Sequence, residues 1–221
     1  MNTHAGKAES YEKGRPDYPE AFFDFLYGEA GFRPGQVIAD IGCGTGKVTK
    51  HFLARGGSVV AIEPDGDMLR IAMTKLSGYP NCQLFQGYAE DTGLAKGAID
   101  HIFCGNAYHW FARDKTVPEF RRILREGGSV AIATLGGGND VSAFLPGTFQ
   151  EKTFTYVIHE TPEQYLHGLL SVSSAPLPGD DAYEAFCSNI QTYFNKHSRN
   201  GALKVEMQLH CVIGGAENLA I

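Results

Sequence analysis

The residues best suited to chemistry begin with one carboxylate and three glycines at the end of an apolar segment. Residues 37–41 are apolar and partly β-branched apart from Asp40, and glycines follow at positions 42, 44 and 46. Such a run predicts a buried strand, and the glycines predict a turn whose backbone N–H groups are open to a ligand. The spacing is one residue tighter than the G-x-G-x-x-G pattern of dinucleotide-binding loops. A carboxylate before the turn would favour a cationic ligand over a phosphate, although a plain strand–turn–helix remains the alternative.

Further carboxylates follow the next two predicted strands. Glu63 ends a strand predicted over 58–62, where a carboxylate can accept both hydroxyl groups of a ribose. Asp65 is the better candidate for capping the helix that comes next. Glu90 and Asp91 follow the third predicted strand, where either could accept the amino group of an adenine lying against Tyr88 or Ala89. A solvated surface charge is the other interpretation of both acids.

An aromatic segment follows the strand predicted over 99–104. Tyr108, His109, Trp110 and Phe111 are consecutive in the sequence. Ligands of open α/β sheets bind outside the carboxyl ends of the strands, so this segment is expected to face a ligand. His109 is the candidate general base, because its pKa can lie near neutrality, and Tyr108 could orient an acceptor or present its ring to a cation. The alternative is an aromatic plug that seals the core.

The polar N-terminal segment carries aromatic residues and an arginine. Residues 1–19 contain Tyr11, Arg15 and Tyr18, and prolines that disfavour one continuous helix. A flexible tail is one interpretation. The other is a lid in which Tyr11 and Tyr18 close over a ligand.

Alternating strands and helices connect these segments through residue 134, which predicts a parallel, doubly wound α/β sheet. Beyond it, a glycine-rich loop is expected to reach about residue 152. Helices are predicted over 21–30, 47–55, 68–76, 162–170 and 181–197. A further helix is predicted from the apolar stripe of Phe120, Ile123 and Leu124, with Gly127–Gly128 as its C-terminal cap. Strands are predicted over 37–41, 58–62, 82–86, 99–104, 130–134, 154–159 and 204–213.

These motifs together resemble those of the class I S-adenosylmethionine (SAM)-dependent methyltransferases. Order and spacing agree across residues 35–134. Segments 11–19 and 106–111 are similar to a small-molecule subgroup of the type 11 methyltransferases. The matching segments are 40–46 (motif I), Glu63-Pro64-Asp65 (the acid of strand two), Ala89-Glu90 (the adenine position) and 123–128 (the turn before strand five, with Glu126 in place of a proline).

The resemblance implies a Rossmann-like sheet of seven strands in the order 3-2-1-4-5-7-6, with strand seven antiparallel. It implies a single domain over 1–221, made of an N-terminal lid and helix (1–34), a cofactor-binding core (35–134) and C-terminal elements that complete the sheet (135–221). Segment 135–152 is shorter than the insertion that often covers the substrate in this family, so the pocket could be open or covered by a partner subunit.

The resemblance also implies SAM as the cofactor and a direct, in-line methyl transfer to a small-molecule acceptor. The protein would mainly hold nucleophile, methyl carbon and sulfur in line and exclude water. His109 and Tyr108 would be the catalytic residues. The residues expected to bind the cofactor are Tyr18, Asp40, Gly42, Gly44, Glu63, Pro64, Ala89, Glu90 and Asn106.

Three other functions are compatible with the same motifs. The first is a SAM-binding regulator or assembly partner without transferase activity. The second is an NAD(P)-dependent oxidoreductase, which the glycine spacing and Asp40 disfavour. The third is a protein of this fold that has lost SAM, which the intact glycine loop and Glu63 disfavour.

Composition and charge restrict the expected partners. The 221 residues are 43% hydrophobic and 20% charged, as in ordinary globular proteins, and the net charge of −6 disfavours nucleic acids. Residues 106–109 also lack the two prolines of the motif used to methylate bases. The five cysteines have no metal-ligand spacing, the N-terminus lacks an apolar leader, and no apolar run approaches membrane-spanning length. We therefore expect a cytoplasmic monomer or homodimer without a metal, membrane or nucleic-acid partner.

Overall fold

The computed structural model describes residues 6–136 and 149–219, which form two compact units. One unit lies within Met1–Asp17 and Thr155–Met207, and the other within Tyr18–Phe154 and Gln208–Ile221. The organisation as a single domain stays a prediction. Most of the glycine-rich loop expected after strand five lies outside the described residues.

Seven strands form one sheet in the order β3-β2-β1-β4-β5-β7-β6, which confirms the predicted topology. Neighbouring strands from β3 to β5 are parallel, and β7 is antiparallel to β5. The carboxyl ends of β1 to β4 therefore lie along one edge, where ligands of such sheets bind. The strands are β1 (Val37–Ile41), β2 (Ser58–Glu63), β3 (Cys82–Gln86), β4 (Ile99–Gly105), β5 (Leu124–Leu135), β6 (Gln150–Glu160) and β7 (Leu203–Gly215).

Seven α-helices and two short 3₁₀ turns accompany the sheet in the described residues. The turns are Tyr108–Trp110 and Ala216–Asn218. The helices are α1 (Ala8–Gly14), α2 (Glu20–Gly28), α3 (Thr49–Ala54), α4 (Gly66–Leu76), α5 (Arg113–Ile123), α6 (Pro162–Leu170) and α7 (Tyr183–His197).

The prediction that Leu124 continues the apolar stripe of Phe120 and Ile123 on a helix is wrong. The helix α5 ends at Ile123, and Leu124 is extended and pairs with Ile99 of β4. The guanidinium of Arg125 bonds Asp100 at 2.7 Å, which holds the chain along β4 rather than in a further helical turn. The pair Gly127–Gly128 consequently lies within β5 and does not cap the helix.

Several other boundaries also differ from the sequence prediction, among them the start of α3, and the N-terminal segment contains a short helix. The helix α3 begins at Thr49, two residues later than expected, because residues 42–48 form turns that include the Gly46 N–H to Cys43 carbonyl bond of 3.0 Å. The short helix α1 lies in the segment whose alternatives were a tail or a lid. It ends at Gly14, before Pro16. The prolines therefore disfavour one continuous helix through this segment but allow a short one.

Buried apolar side chains pack against the central strands, whose carboxyl ends carry the candidate site. On one face of the sheet, Val117, Phe120 and Ile123 of α5 pack on β1, β4 and β5. In another buried cluster, Phe22 of α2 and Phe52 of α3 contact Phe103 of β4 with ring centroids 6.0 and 5.1 Å apart. These layers hold the central strands rigidly beneath the loops at their carboxyl ends.

A buried lysine ties α1 to the segment after α6 in the smaller unit. The ammonium of Lys7 donates to the carbonyls of Val172, Ser173 and Ala175 at 2.6, 2.8 and 2.7 Å. Burial lowers the pKa of Lys7, and the charge of Asp180 opposes that shift. The three hydrogen bonds pair carbonyls of the irregular segment that follows α6.

We expect Lys7→Met to lower the free energy of unfolding by about 3 kcal/mol, because it removes three charge-assisted hydrogen bonds and leaves the buried carbonyl of Ala175 unpaired. Urea unfolding measures this loss. Lys13→Met is the matched control, since the ammonium of Lys13 is exposed and lies 3.7 Å from Glu163. Equal stability of the two variants would contradict the anchoring role.

Candidate functional site

The glycine loop after β1 adopts a conformation that side chains would block. The N–H groups of Gly42 and Cys43 both donate to the carbonyl of Ile62, at 2.8 and 3.1 Å. Gly42 has φ +74°, and a Cβ on it would lie 2.5 Å from the Cβ of Ala107. A Cβ on Gly46 would lie 2.8 Å from Leu76. The loop therefore needs glycine both for its backbone angles and for its packing against Ala107, after β4, and against α4. The N–H groups of Gly42, Cys43, Gly44 and Gly46 all donate within the protein, contrary to the expectation that they are open to a ligand.

Asp40 is a buried carboxylate directly beneath this loop. Its side chain is 1% exposed and accepts a hydrogen bond of 2.6 Å from the hydroxyl of Thr49. Burial raises the pKa of Asp40 to about 7, the Thr49 bond opposes the shift, and the charge of Glu63 adds to it. No basic side chain in the described part of the chain contributes to the pKa of either carboxylate. The edge of β1 and β2 is thus a place where a cationic ligand would be stabilised.

Glu63 and Asp65 have different hydrogen-bond partners, and Asp65 is the helix cap that the sequence predicts. Asp65 accepts the N–H groups of Asp67 and Met68 at 2.8 and 3.0 Å and caps α4. Glu63 is 8% exposed and accepts the N–H of Gly44 at 2.8 Å and that of Asp65 at 3.0 Å. Burial raises the pKa of Glu63, and these two hydrogen bonds oppose the shift.

The loop after β3 is fixed to the start of α5. Ala89 is buried in the same apolar cluster as Ile41 and Ile62, while the neighbouring Glu90 is half-buried. A carboxylate oxygen of Glu90 accepts the N–H of Ala112 at 2.6 Å. Glu90 therefore has a defined position beside Ala89.

Asn106 joins three segments through its backbone and side chain. It has φ +52°, its amide donates to the hydroxyl of Tyr18 at 3.0 Å, and its carbonyl oxygen accepts the N–H of Leu135 at 2.8 Å. Tyr18 is 7% exposed and lies edge-on to Phe22 at 5.4 Å. Tyr18 and Asn106 thus lie together at the carboxyl ends of β4 and β5, where their link was not visible in the sequence.

Asn106→Ala is expected to cost about 1 kcal/mol more stability than Asn106→Gly, because both lose the side-chain bonds but only alanine strains the left-handed backbone. Thermal unfolding of both variants, with Tyr18→Phe as a probe of one hydrogen bond, measures the difference. An alanine variant as stable as the glycine variant would contradict this explanation.

The aromatic segment after β4 divides between core and surface. Tyr108 is buried and belongs to the cluster that contains Ala89, and Phe111 packs partly against the same cluster. His109 and Trp110 are exposed, with ring centroids 4.9 Å apart. In the described structure the His109 ring has aromatic neighbours but no hydrogen bond, and burial lowers its pKa. The plug interpretation thus fits Tyr108, whereas the imidazole of His109 is available to an external molecule.

The described residues contain no group of three or more His, Cys, Asp and Glu side chains that could hold a metal ion. In the same part of the chain, no helix has the length and apolar character needed to cross a membrane.

The strand order, the glycine loop and the carboxylates at its edge define a fold of the class I methyltransferase type. The model of a family described as a methyltransferase domain matches residues 39–132. An uncharacterized methyltransferase of Mycobacterium tuberculosis is 35% identical over 123 residues, which cover 56% of this chain and 48% of that protein. Residues 39–132 are therefore similar to a methyltransferase domain, which confirms the resemblance. The chain spans about half the length of the curated relatives it matches.

Solved structures share the fold over most of the chain. A candidate type II methyltransferase from Anaeromyxobacter dehalogenans superimposes with a TM-score of 0.66 at 22% identity, covering 91% of this chain and 98% of that chain. Phosphoethanolamine N-methyltransferase 2 of Haemonchus contortus, in complex with SAM, has a TM-score of 0.55 at 15% identity, covering 95% of this chain and 56% of that chain. At these identities the similarity shows the fold alone.

Proposed function

We propose that the protein transfers a methyl group from SAM to a small-molecule acceptor in the cytoplasm. The observation that supports it is the pair of buried carboxylates, Asp40 and Glu63, at a glycine loop of a methyltransferase domain. The SAM complex of the Haemonchus contortus enzyme adds support through its shared fold. SAM supplies an electrophilic methyl group on a sulfonium, which is a good leaving group.

The chain's own residues can bind and orient such a cofactor. Gly42 and Gly44 are the proposed loop contacts of the cofactor, and Asp40 provides a negative field for the sulfonium. Glu63 has acceptor capacity for ribose hydroxyls, since a carboxylate offers about four lone-pair positions. The remaining proposed cofactor contacts are Pro64 and Ala89 as apolar walls, Glu90 as acceptor for the adenine amino group, and Tyr18 and Asn106 at the end of β4.

His109 is the proposed general base where the acceptor must lose a proton. Its lowered pKa keeps the imidazole neutral at pH 7, which is the form that can take a proton. Tyr108, fixed in the core beside it, would orient the acceptor. The negative net charge supports a small acceptor rather than a nucleic acid.

A turnover assay tests this function. The protein is incubated with SAM and a panel of small carboxylates, phenols and enols, and S-adenosylhomocysteine and methylated product are measured together. Formation of both supports the proposal. Tight SAM binding without turnover on any acceptor would instead favour a regulator or assembly partner.

With an acceptor that must lose a proton, we expect His109→Asn to lower kcat about 100-fold while SAM affinity stays unchanged. Activity of the native protein should persist somewhat below pH 6.5, because the base must be neutral and the pKa of His109 is lowered. His159→Asn, at an exposed position of β6, is the matched control. An unchanged kcat in His109→Asn would exclude His109 as the base.

A further inference from the structure

The carboxylate expected to hold the ribose is already bonded to backbone amides. One oxygen of Glu63 accepts the N–H of Gly44, and the other accepts the N–H of Asp65. The side chain is 8% exposed, so water can only partly replace these bonds. Glu63 therefore connects the loop after β1 to the turn between β2 and α4.

The bond to Gly44 completes a series of contacts between the glycine loop and β2. Gly42 and Cys43 both donate to a carbonyl of the strand, that of Ile62. Gly44, with φ +57°, donates to a side chain instead. This third contact can be removed by substituting Glu63, without changing the sequence of the loop.

Two acceptor positions on the Glu63 carboxylate remain open after the amide bonds are counted. A carboxylate offers about four lone-pair positions, and Gly44 and Asp65 use two. Holding the loop and accepting ribose hydroxyls are therefore compatible at the same time.

We propose that Glu63 is a positioning residue that holds the glycine loop in its binding conformation before any cofactor arrives. This inference rests on the proposed SAM site and assigns Glu63 a role beyond the ribose. A loop ordered in advance costs a ligand less conformational entropy on binding. Removing the carboxylate should then weaken every ligand that uses the loop, including one that has no ribose hydroxyls.

Amide exchange and a pair of ligands separate the two roles of Glu63. The full chain without ligand is compared with Glu63→Ala, and the exchange rate of the Gly44 amide is measured by NMR. Affinities are then measured for S-adenosylhomocysteine and for its 2′,3′-dideoxyribose analogue. Glu126→Ala is the matched control, because Glu126 is exposed.

We expect the Gly44 amide to be protected in the native chain and to exchange at least about tenfold faster in Glu63→Ala. We also expect Glu63→Ala to weaken the dideoxy analogue by about tenfold. Unprotected Gly44 in the native chain, or unchanged exchange and unchanged affinity for the analogue, would overturn the inference and leave Glu63 as a ribose contact only.

A second variant keeps the inference testable if Glu63→Ala does not fold. Glu63→Gln retains the side-chain length but has one acceptor oxygen, so one of the two amides must lose its partner. Faster exchange at Gly44 would support the inference, and native protection at both amides would overturn it. If the native chain binds neither ligand, the proposed SAM function fails, whereas the exchange rates still decide whether Glu63 holds the loop.

Discussion

Gly42→Ala is expected to abolish cofactor binding and to lower the free energy of unfolding by about 2–5 kcal/mol. The new Cβ would lie 2.5 Å from the Cβ of Ala107, well inside van der Waals contact, and the backbone φ of +74° is unfavourable for alanine. The loop must then move away from Ala107, which follows β4, and this disturbs the hydrogen bonds that its N–H groups make to Ile62 and Glu63. Urea unfolding and calorimetry with S-adenosylhomocysteine measure the two losses.

The contribution of the collision can be separated from that of the backbone angle. Gly35→Ala is the matched control, because Gly35 has φ +85° but open space around its Cα. It should lose only the strain energy, about 1–2 kcal/mol. The double variant Gly42→Ala/Ala107→Gly should recover part of the stability lost by Gly42→Ala. Equal losses of stability in Gly42→Ala and Gly35→Ala would show that the contact with Ala107 adds no cost beyond the backbone strain.

Asp40→Asn is expected to stabilise the ligand-free protein at pH 8 by on the order of a few kcal/mol. The folded-state pKa of Asp40 is about 7, above the unfolded value near 3.8, so its folded state holds a proton that the unfolded state has lost between these pH values. The stability that this proton contributes is present below about pH 4 and is lost as pH rises to about 7. Asparagine avoids the loss, and its side-chain oxygen can still accept the Thr49 hydrogen bond.

The same variant should bind SAM less well. Removing the negative charge weakens attraction to a sulfonium, so the affinity for SAM should fall by about tenfold, or 1.4 kcal/mol, while S-adenosylhomocysteine changes little. Thermal unfolding between pH 4 and 8 and calorimetry with both ligands test this, with the exposed Asp24→Asn as control. A stability difference that does not grow with pH would contradict the assignment of the shifted proton to Asp40.

Much of the fold followed from local patterns in the sequence. The strand β3 and the helix α6 have the predicted bounds, and the parallel part of the sheet follows from alternating strands and helices. The cap at Asp65 was predictable because capping depends on residues within one turn. The carboxylates and glycines could be placed together because the ends of parallel strands meet at one edge.

What the sequence could not predict depends on contacts between distant segments. Leu124 continues a helical pattern, yet its pairing with Ile99 makes it extended. The bonds from Asn106 to Tyr18 and Leu135 join residues far apart in the chain, and no local pattern signals them. The aromatic segment consists of four consecutive ring-bearing residues, so the sequence does not show which of them are buried. Packing against α5 buries Tyr108, whereas His109 is exposed.

Calorimetry of the native chain with SAM and S-adenosylhomocysteine tests the central claim most directly. We expect both ligands to bind at micromolar concentrations, and their affinity to fall by about tenfold or more in Glu63→Ala. A folded native chain that binds neither ligand would contradict the methyltransferase function, and the glycine loop beside Asp40 and Glu63 would then need a different ligand.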